Sequence, residues 1–291
     1  TRRGENLQSK EVEAMSRSKD QESNRMTMGR RAVMIGAATL LMSLWSVGQA
    51  WALDPLTTEQ MEALLVTIDE RQRSVGDYKA LAFIEQKQKG KSDLVYESVI
   101  YRRDAEGKLL IMFLKPKSEA GKGYLRLEDN LFLYDPSVGK WERRTDRENI
   151  GGTGSQRRDF DASSFSKDYT PTYVKADKLG KFEVHQLELN AKDGADVSYP
   201  KMHVWVDAKT NSPLKVQEFA LSGKLMRTSY YPKWSKVKNE KKGSEVYFPK
   251  EIRIFDEVEE GTSTTIVMQK VELEELPDNI FTKAWLESKS R

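Results

Sequence analysis

From Tyr78 onward, short runs of β-branched and aromatic residues alternate with turn-forming clusters: Gly90-Lys91-Ser92, Asp104-Ala105-Glu106-Gly107, Glu128-Asp129-Asn130, Asp135-Pro136-Ser137 with Gly139, Asn211-Ser212-Pro213, Ser222-Gly223 and Glu259-Glu260-Gly261. Such punctuation supplies the tight turns that join antiparallel neighbours, so it predicts an up-and-down antiparallel sheet. Some runs, such as Leu109-Leu110-Ile111-Met112-Phe113-Leu114 and Leu131-Phe132-Leu133-Tyr134, are apolar on both faces. A strand of that kind needs cover on both sides. A mainly β (α+β) fold follows, a half-open antiparallel barrel of about ten to eleven strands with helices over one face and an apolar space inside.

Two segments read as helices. Thr57 and Gln60 form a capping box ahead of Met61, Leu64, Leu65 and Ile68, which recur at helical spacing. Near the other end Pro277 precedes Asp278 to Ser288, with Ile280, Phe281, Ala284 and Trp285 as further apolar cover. Gly151-Gly152-Thr153-Gly154-Ser155 lacks the preceding strand, following helix and Lys-Ser/Thr pair of a phosphate loop, so it is expected to be a mobile loop. A short helix is expected within Asp161 to Tyr169.

Mean hydropathy is −0.68, yet Ala32 to Val47 carries no ionisable residue. With Arg30-Arg31 before it and Ala50-Trp51-Ala52 after it, this run has the three parts of a secretory signal peptide and is shorter than a membrane span. The expected organisation is an upstream extension over 1–27, a signal peptide over 28–52 cleaved after Ala52, and one domain over 53–291, an uncleaved anchor being the alternative. The arginine pair fits the twin-arginine route and an ordinary basic n-region alike. Of the 48 basic and 45 acidic residues, eight and five precede Leu53, leaving 40 of each. The mature part is thus near neutral, which gives no argument for nucleic acid or a polyanionic substrate. There is no cysteine, hence no disulfide, thiol nucleophile, zinc-thiolate site or lipidation cysteine.

Catalytic patterns are missing. His185 and His203, the two histidines, sit eighteen residues apart in strand-like runs and match no local metal pattern. No G-x-S-x-G occurs, and no carboxylate pair is singled out. Within the lysine-rich stretch from Lys233 to Lys250, Lys238 to Gly243 reads as an exposed turn between strands. The expectation is a protein that is not an enzyme and holds no cofactor or metal. Aromatic and methionine side chains line an apolar cavity economically, and Met adapts to varied acyl shapes. Met112, Tyr124, Phe132, Tyr134, Trp141, Trp205, Phe219, Met226 and Tyr230 are therefore the cavity candidates, each weighed against a plain role in the β core.

Four stretches resemble the LolA-like outer membrane lipoprotein-sorting proteins, in particular their uncharacterised branch: Phe113 to Arg144; Arg158-Asp159-Phe160 with Phe165 and Asp168; Val204-Trp205-Val206-Asp207 to Gly223-Lys224-Leu225; and Leu276 to Thr282. Together they cover most of Tyr78 to Leu286. The resemblance implies a half-open barrel with a helical lid over a hydrophobic cavity that takes acyl chains of lipoproteins or other lipids across the periplasm. It also implies an inner-membrane transporter that loads the carrier, an outer-membrane acceptor, and a monomer. This chain is longer than the compact carriers, and the family's lid-contacting arginine has five candidates here, Arg102, Arg103, Arg126, Arg143 and Arg144. The alternative is a non-enzymatic envelope module or stress sensor that binds a protein partner or assists a lipid-exporting pump. Changing Trp205 or Phe132 to Asp is expected to abolish lipid uptake where either lines the cavity.

Overall fold

The computed structural model describes residues 53–290 except 74, 128–129, 146–147, 162 and 239–244; the expected leader and upstream extension lie outside the described residues. Helix α1 (Thr58–Arg73) opens the fold. Its capping box is present: the Gln60 amide donates to Thr57 Oγ1 at 3.3 Å and the Thr57 amide donates to Gln60 Oε1 at 2.8 Å. Met61, Leu64, Leu65 and Ile68 are its buried stripe, as the spacing predicts.

Among the described residues thirteen strands form one sheet. β1 (Asp77–Lys87), β2 (Leu94–Arg103), β3 (Lys108–Lys115), β4 (Gly123–Leu127), β5 (Asn130–Asp135) and β6 (Lys140–Arg144) are one meander. A second comprises β7 (Tyr169–Leu179), β8 (Phe182–Ala191), β9 (Lys201–Asp207), β10 (Pro213–Phe219), β11 (Leu225–Lys238), β12 (Glu245–Asp256) and β13 (Ser263–Glu272). Antiparallel pairing of β1 with β13 joins the two, giving the order β6-β5-β4-β3-β2-β1-β13-β12-β11-β10-β9-β8-β7. The sheet stays unclosed, with β6 and β7 at opposite edges. The strand number exceeds the expected ten to eleven because residues 123–144 fold into three strands of only five or six residues each.

Since β6 and β7 are consecutive in sequence but lie at opposite edges, residues 145–168 must run from one edge to the other. This crossover lies over one face, here called inner, and buries Ile150 and Phe160 against Ile84, Ile100, Ile111 and Ile254. On the same face α1 packs on Leu187, Met202, Val204 and Val216. The crossover also contains the short helix α2 (Phe165–Asp168), within the segment expected to be helical.

The opposite, outer face of β2 to β5 is covered by the C-terminal segment and helix α3 (Lys283–Lys289): Leu276, Ile280, Phe281 and Leu286 bury Val99, Leu110, Met112 and Leu125. The doubly apolar β3 is thus satisfied from both sides. Leu109, Ile111 and Phe113 face the crossover, while Leu110 and Met112 face the C-terminal cover. Gly123 makes this possible, because a Cβ there would lie 2.7 Å from Leu286 Cδ1. Arg103 ties the segment down through Asp77 at 3.0 Å, through Asp278 and the Leu276 carbonyl, and by lying over the Phe281 ring. Expected helices on one face are therefore found on both.

Candidate functional site

The inner face and its two-part cover enclose a space lined by apolar and charged side chains together. α1 and the crossover are held together through Asp69, which is 1% exposed. Asp69 Oδ1 accepts from Ser163 Oγ at 2.5 Å and the Phe165 amide at 3.1 Å; Oδ2 accepts from the Ser166 amide at 2.8 Å and Ser166 Oγ at 2.7 Å. It thereby caps α2, whose first amides have no partner within the helix. Gln72 Oε1 adds a bond from the Ser163 amide at 2.9 Å.

The crossover is fastened to the sheet by polar groups rising from the inner face. Arg227 on β11 donates to both oxygens of Asp159 at 2.8 and 3.0 Å, and Arg158 reaches Glu218 on β10 at 2.9 Å. Arg227 and Glu218 are only 5% and 7% exposed. Burial by itself lowers the pKa of Arg227, but Asp159 and Glu218 more than offset this and hold it above the ordinary guanidinium range. Arg102 donates to the Phe160 carbonyl, and Arg126 lies 3.6 Å from Asp161. Of the five arginine candidates, these two meet the cover, whereas Arg103 holds the C-terminal segment and Arg144 pairs with Glu142 and Glu148.

Contrary to expectation, Gly151 to Ser155 is not a free loop. The Gly151 amide donates to Tyr124 Oη at 2.8 Å, and the Gly154 amide donates to Gln86 Oε1 at 2.7 Å and Thr264 Oγ1 at 2.8 Å. Thr153 and Ser155 are buried and share a hydrogen bond. The glycines let this backbone lie on the sheet: a Cβ at position 152 would come 2.6 Å from Tyr96 Oη.

Between cover and sheet lies a 160 Å³ cavity whose apolar lining includes Phe165, Tyr169, Met202, Val216, Tyr231 and Ile252. A 40 Å³ gap beside Tyr78, Phe248 and Met268 shares Gln72, Asp159, Asp161, Pro249 and Ile252 with it. Burial raises the phenol of Tyr169 to about 12 and raises that of Tyr231 as well, so both line the space as neutral groups.

The nine cavity candidates do not converge. Tyr124 is on the inner face beneath the crossover, and Met226 lines a separate 260 Å³ pocket. Met112, Phe132, Tyr134 and Trp141 lie on the outer face under the C-terminal cover, where Lys283 sits 4.4 Å over Phe132 and Trp141 Nε1 donates to Glu287 at 2.6 Å. Trp205, Phe219 and Tyr230 are on the outer face of β9 to β11, with Lys215 4.2 Å over Trp205 and Lys201 over Phe219. Strand alternation explains the split: Val204 and Val216 point inward, so Trp205 and its cross-strand neighbour Lys215 point outward. The histidines are on opposite faces, His203 bonded to Glu188 at 3.0 Å and His185 beside Tyr173. Among the described residues no cluster of three or more His, Asp or Glu is placed to hold a metal.

A family model described only as an uncharacterised protein matches residues 105–288. In structure the chain is similar to a LolA superfamily protein from Nitrosomonas europaea, at 23% identity and a TM-score of 0.64, over 79% of this chain and 99% of that one. It is similar to a DUF1329 family protein from Desulfovibrio piger, at 18% identity and a TM-score of 0.70, over 79% and 98%. A domain assigned to outer membrane lipoprotein sorting, from Vibrio parahaemolyticus, is similar at 21% identity and a TM-score of 0.66, over 79% and 100%. No curated protein sequence matches the chain. The chain belongs to the family of that model and shares its fold with the LolA superfamily and DUF1329 family proteins.

Proposed function

We propose that this chain is a carrier or binding protein of the bacterial periplasm, without catalytic activity, that holds lipid acyl chains between the inner face and its cover. The observation that carries the reading is the space under the cover, where Met202, Val216, Tyr231 and Ile252 form an apolar seam beside Arg158, Asp159, Asp161 and Glu218 and the cover is tied down at discrete polar points. Transfer of an acyl chain from water into such a seam gains about 0.8 kcal/mol per CH₂, enough for a water-soluble protein to hold a chain with no covalent chemistry. At 160 Å³ the seam is narrow, so the ligand-bound state is one in which α1 and the crossover have lifted. A ligand that binds only that state shifts the equilibrium toward it.

Polar ties suit this task. When the cover lifts, its hydrogen-bonding groups exchange one another for water at small net cost, whereas the apolar lining exchanges its own contacts for those of the chain. The signal peptide expected over 28–52 and the likeness to a lipoprotein-sorting domain support a periplasmic setting and a lipoprotein or other acylated lipid bound for the outer membrane. Native mass spectrometry with lipid extraction, on protein purified from a bacterial periplasm, tests the reading. Bound acyl lipid or lipoprotein supports a carrier. A ligand-free protein that refuses a fluorescent acyl probe yet co-purifies with a stoichiometric protein partner favours the envelope-module alternative.

A further inference from the structure

The ladder between β12 and β13 is shorter than either strand. Pairing runs from Glu251 opposite Val267 to Phe255 opposite Ser263 and stops, although β12 begins at Glu245 and β13 continues to Glu272. Past that point β12 stays with β11, from Pro249 opposite Trp234 to Glu245 opposite Lys238, and β13 stays with β1, from Met268 opposite Ala82 to Glu272 opposite Lys79. The sheet therefore forks, and each arm keeps one ladder edge that no strand of the described residues takes up. Two residues explain the parting. Pro249 has no N–H to give to a ladder, and Lys270 has a φ of 53° less than a right angle's reach of neither strand nor helix, the left-handed value +45°. A residue with a side chain is held there only at a cost.

The fork opens as a 520 Å³ groove. Its walls offer Val237, Phe248 and Val271 together with Lys236, Lys250 and Lys270, and among the described residues the lining holds no carboxylate. All three lysines are exposed. The acidic neighbours along the arms are engaged elsewhere, Glu251 with Lys233 at 2.7 Å and Arg253 at 2.6 Å, and Glu272 with Lys79 at 4.0 Å. Open strand edges beside apolar side chains and an excess of positive charge suit an extended segment. Its backbone takes up a ladder edge, while its alternate side chains meet the apolar wall and the lysines. Lysines along an open edge also repel a second copy of that edge, so charge selects an acidic strand over self-pairing. An anionic membrane surface would match the lysines but leave the ladder edges unmet.

We propose that the fork between β12 and β13 is a docking site for an extended acidic segment of a partner protein, which adds as a strand along an open edge. The β13 arm, Met268 to Glu272, accommodates roughly 16 Å of such a strand at about 3.3 Å per residue.

Fluorescence anisotropy of the full-length protein, without added lipid, with a labelled peptide of alternating glutamate and valine tests the proposal. That peptide is expected to bind. A lysine–valine peptide, and a peptide of the same composition with its glutamates in one block, are expected to bind at least about tenfold more weakly. N-methylation of alternate backbone amides, in both registers, keeps the side chains but removes ladder hydrogen bonds, and one register is expected to cost about tenfold. Lys250→Glu with Lys270→Glu is expected to abolish binding of the acidic peptide and admit the lysine–valine peptide, with uptake of an acyl probe unchanged, so this proposal and the carrier reading fail independently. Absence of binding, indifference to N-methylation in both registers, or indifference to the double charge reversal overturns the proposal. Capture by phosphatidylglycerol vesicles that the double variant loses, with the peptide unbound, overturns it in favour of a membrane-facing surface.

Discussion

Arg227 and Asp159 meet through two hydrogen bonds of 2.8 and 3.0 Å on the inner face, where a strand in the middle of the second meander grips the segment that crosses the sheet. Both side chains are nearly buried, at 6% and 9% exposure, and Glu218 lies 3.7 Å from the same guanidinium. Removing one partner of such a pair strands the other. Arg227→Met is expected to lower unfolding free energy by about 3–5 kcal/mol, and Arg227→Met with Asp159→Asn by less than the sum of the single changes. Urea unfolding of the four proteins in the cycle checks this; additive losses would show that the two groups do not act as a pair.

The faces of the sheet make a second prediction, and it reverses an expectation drawn from sequence. Phe132 and Trp205 are on the outer face, so Phe132→Asp or Trp205→Asp in a protein that still folds is expected to leave uptake of a fluorescent acyl probe unchanged. Val216→Asp, inside the seam, is expected to abolish it. Circular dichroism confirms folding, and the probe titration decides between the faces.

Gly152 and Tyr96 give a steric test of how the crossover is seated. A Cβ at 152 meets the Tyr96 hydroxyl at 2.6 Å, so Gly152→Ala is expected to lower the melting temperature by several degrees. The same oxygen accepts a hydrogen bond from the Gly152 backbone, so Tyr96→Phe is expected to cost stability in the native protein and less in the Gly152→Ala background. An equal cost in both backgrounds would contradict the seating described.

Asp104 carries a pH dependence. Burial raises its carboxyl to about 6, against a partial lowering by Arg102 and a further raising by Asp161 and Asp77. Arg102 Nε is 2.5 Å from Oδ1, and this contact opposes the rise without cancelling it. The folded state therefore binds a proton more readily than the unfolded chain, whose carboxyl titrates near 3.8. This group's contribution is most favourable below about pH 4 and is lost as pH rises through about 6. Relative to the native protein, Asp104→Asn is expected to gain melting temperature between pH 4 and 6 and hold that gain above. A constant difference across the range would remove Asp104 as its source.

Local elements were legible because their signals are local. Thr57 and Gln60 announced α1, the apolar triad Met61, Leu64 and Leu65 marked its buried stripe, and Pro277 marked the C-terminal cover. The pairing of β1 with β13, which sends residues 145–168 across the inner face, joins strands far apart in sequence and leaves no local trace. Alternation separates Leu131 and Leu133 from Phe132 and Tyr134 but does not reveal which set points inward. The aromatic residues suggested a cavity, yet most of those singled out support the outer face. The ionic ties escaped notice because charged strand residues ordinarily face solvent. A faint signal was present: Glu218 shares the parity of Val216 and sits directly opposite Arg227 across the β10–β11 hairpin.

The central claim is that acyl chains enter between the inner face and its cover. Photo-crosslinking with a diazirine fatty acid, followed by peptide mapping of the labelled protein, tests it most directly. The account predicts labels on the seam, at Met202, Val216, Tyr231 or Ile252. Labels confined to the outer face, at Trp205, Tyr230 or Phe255, or no saturable labelling at all, would contradict it.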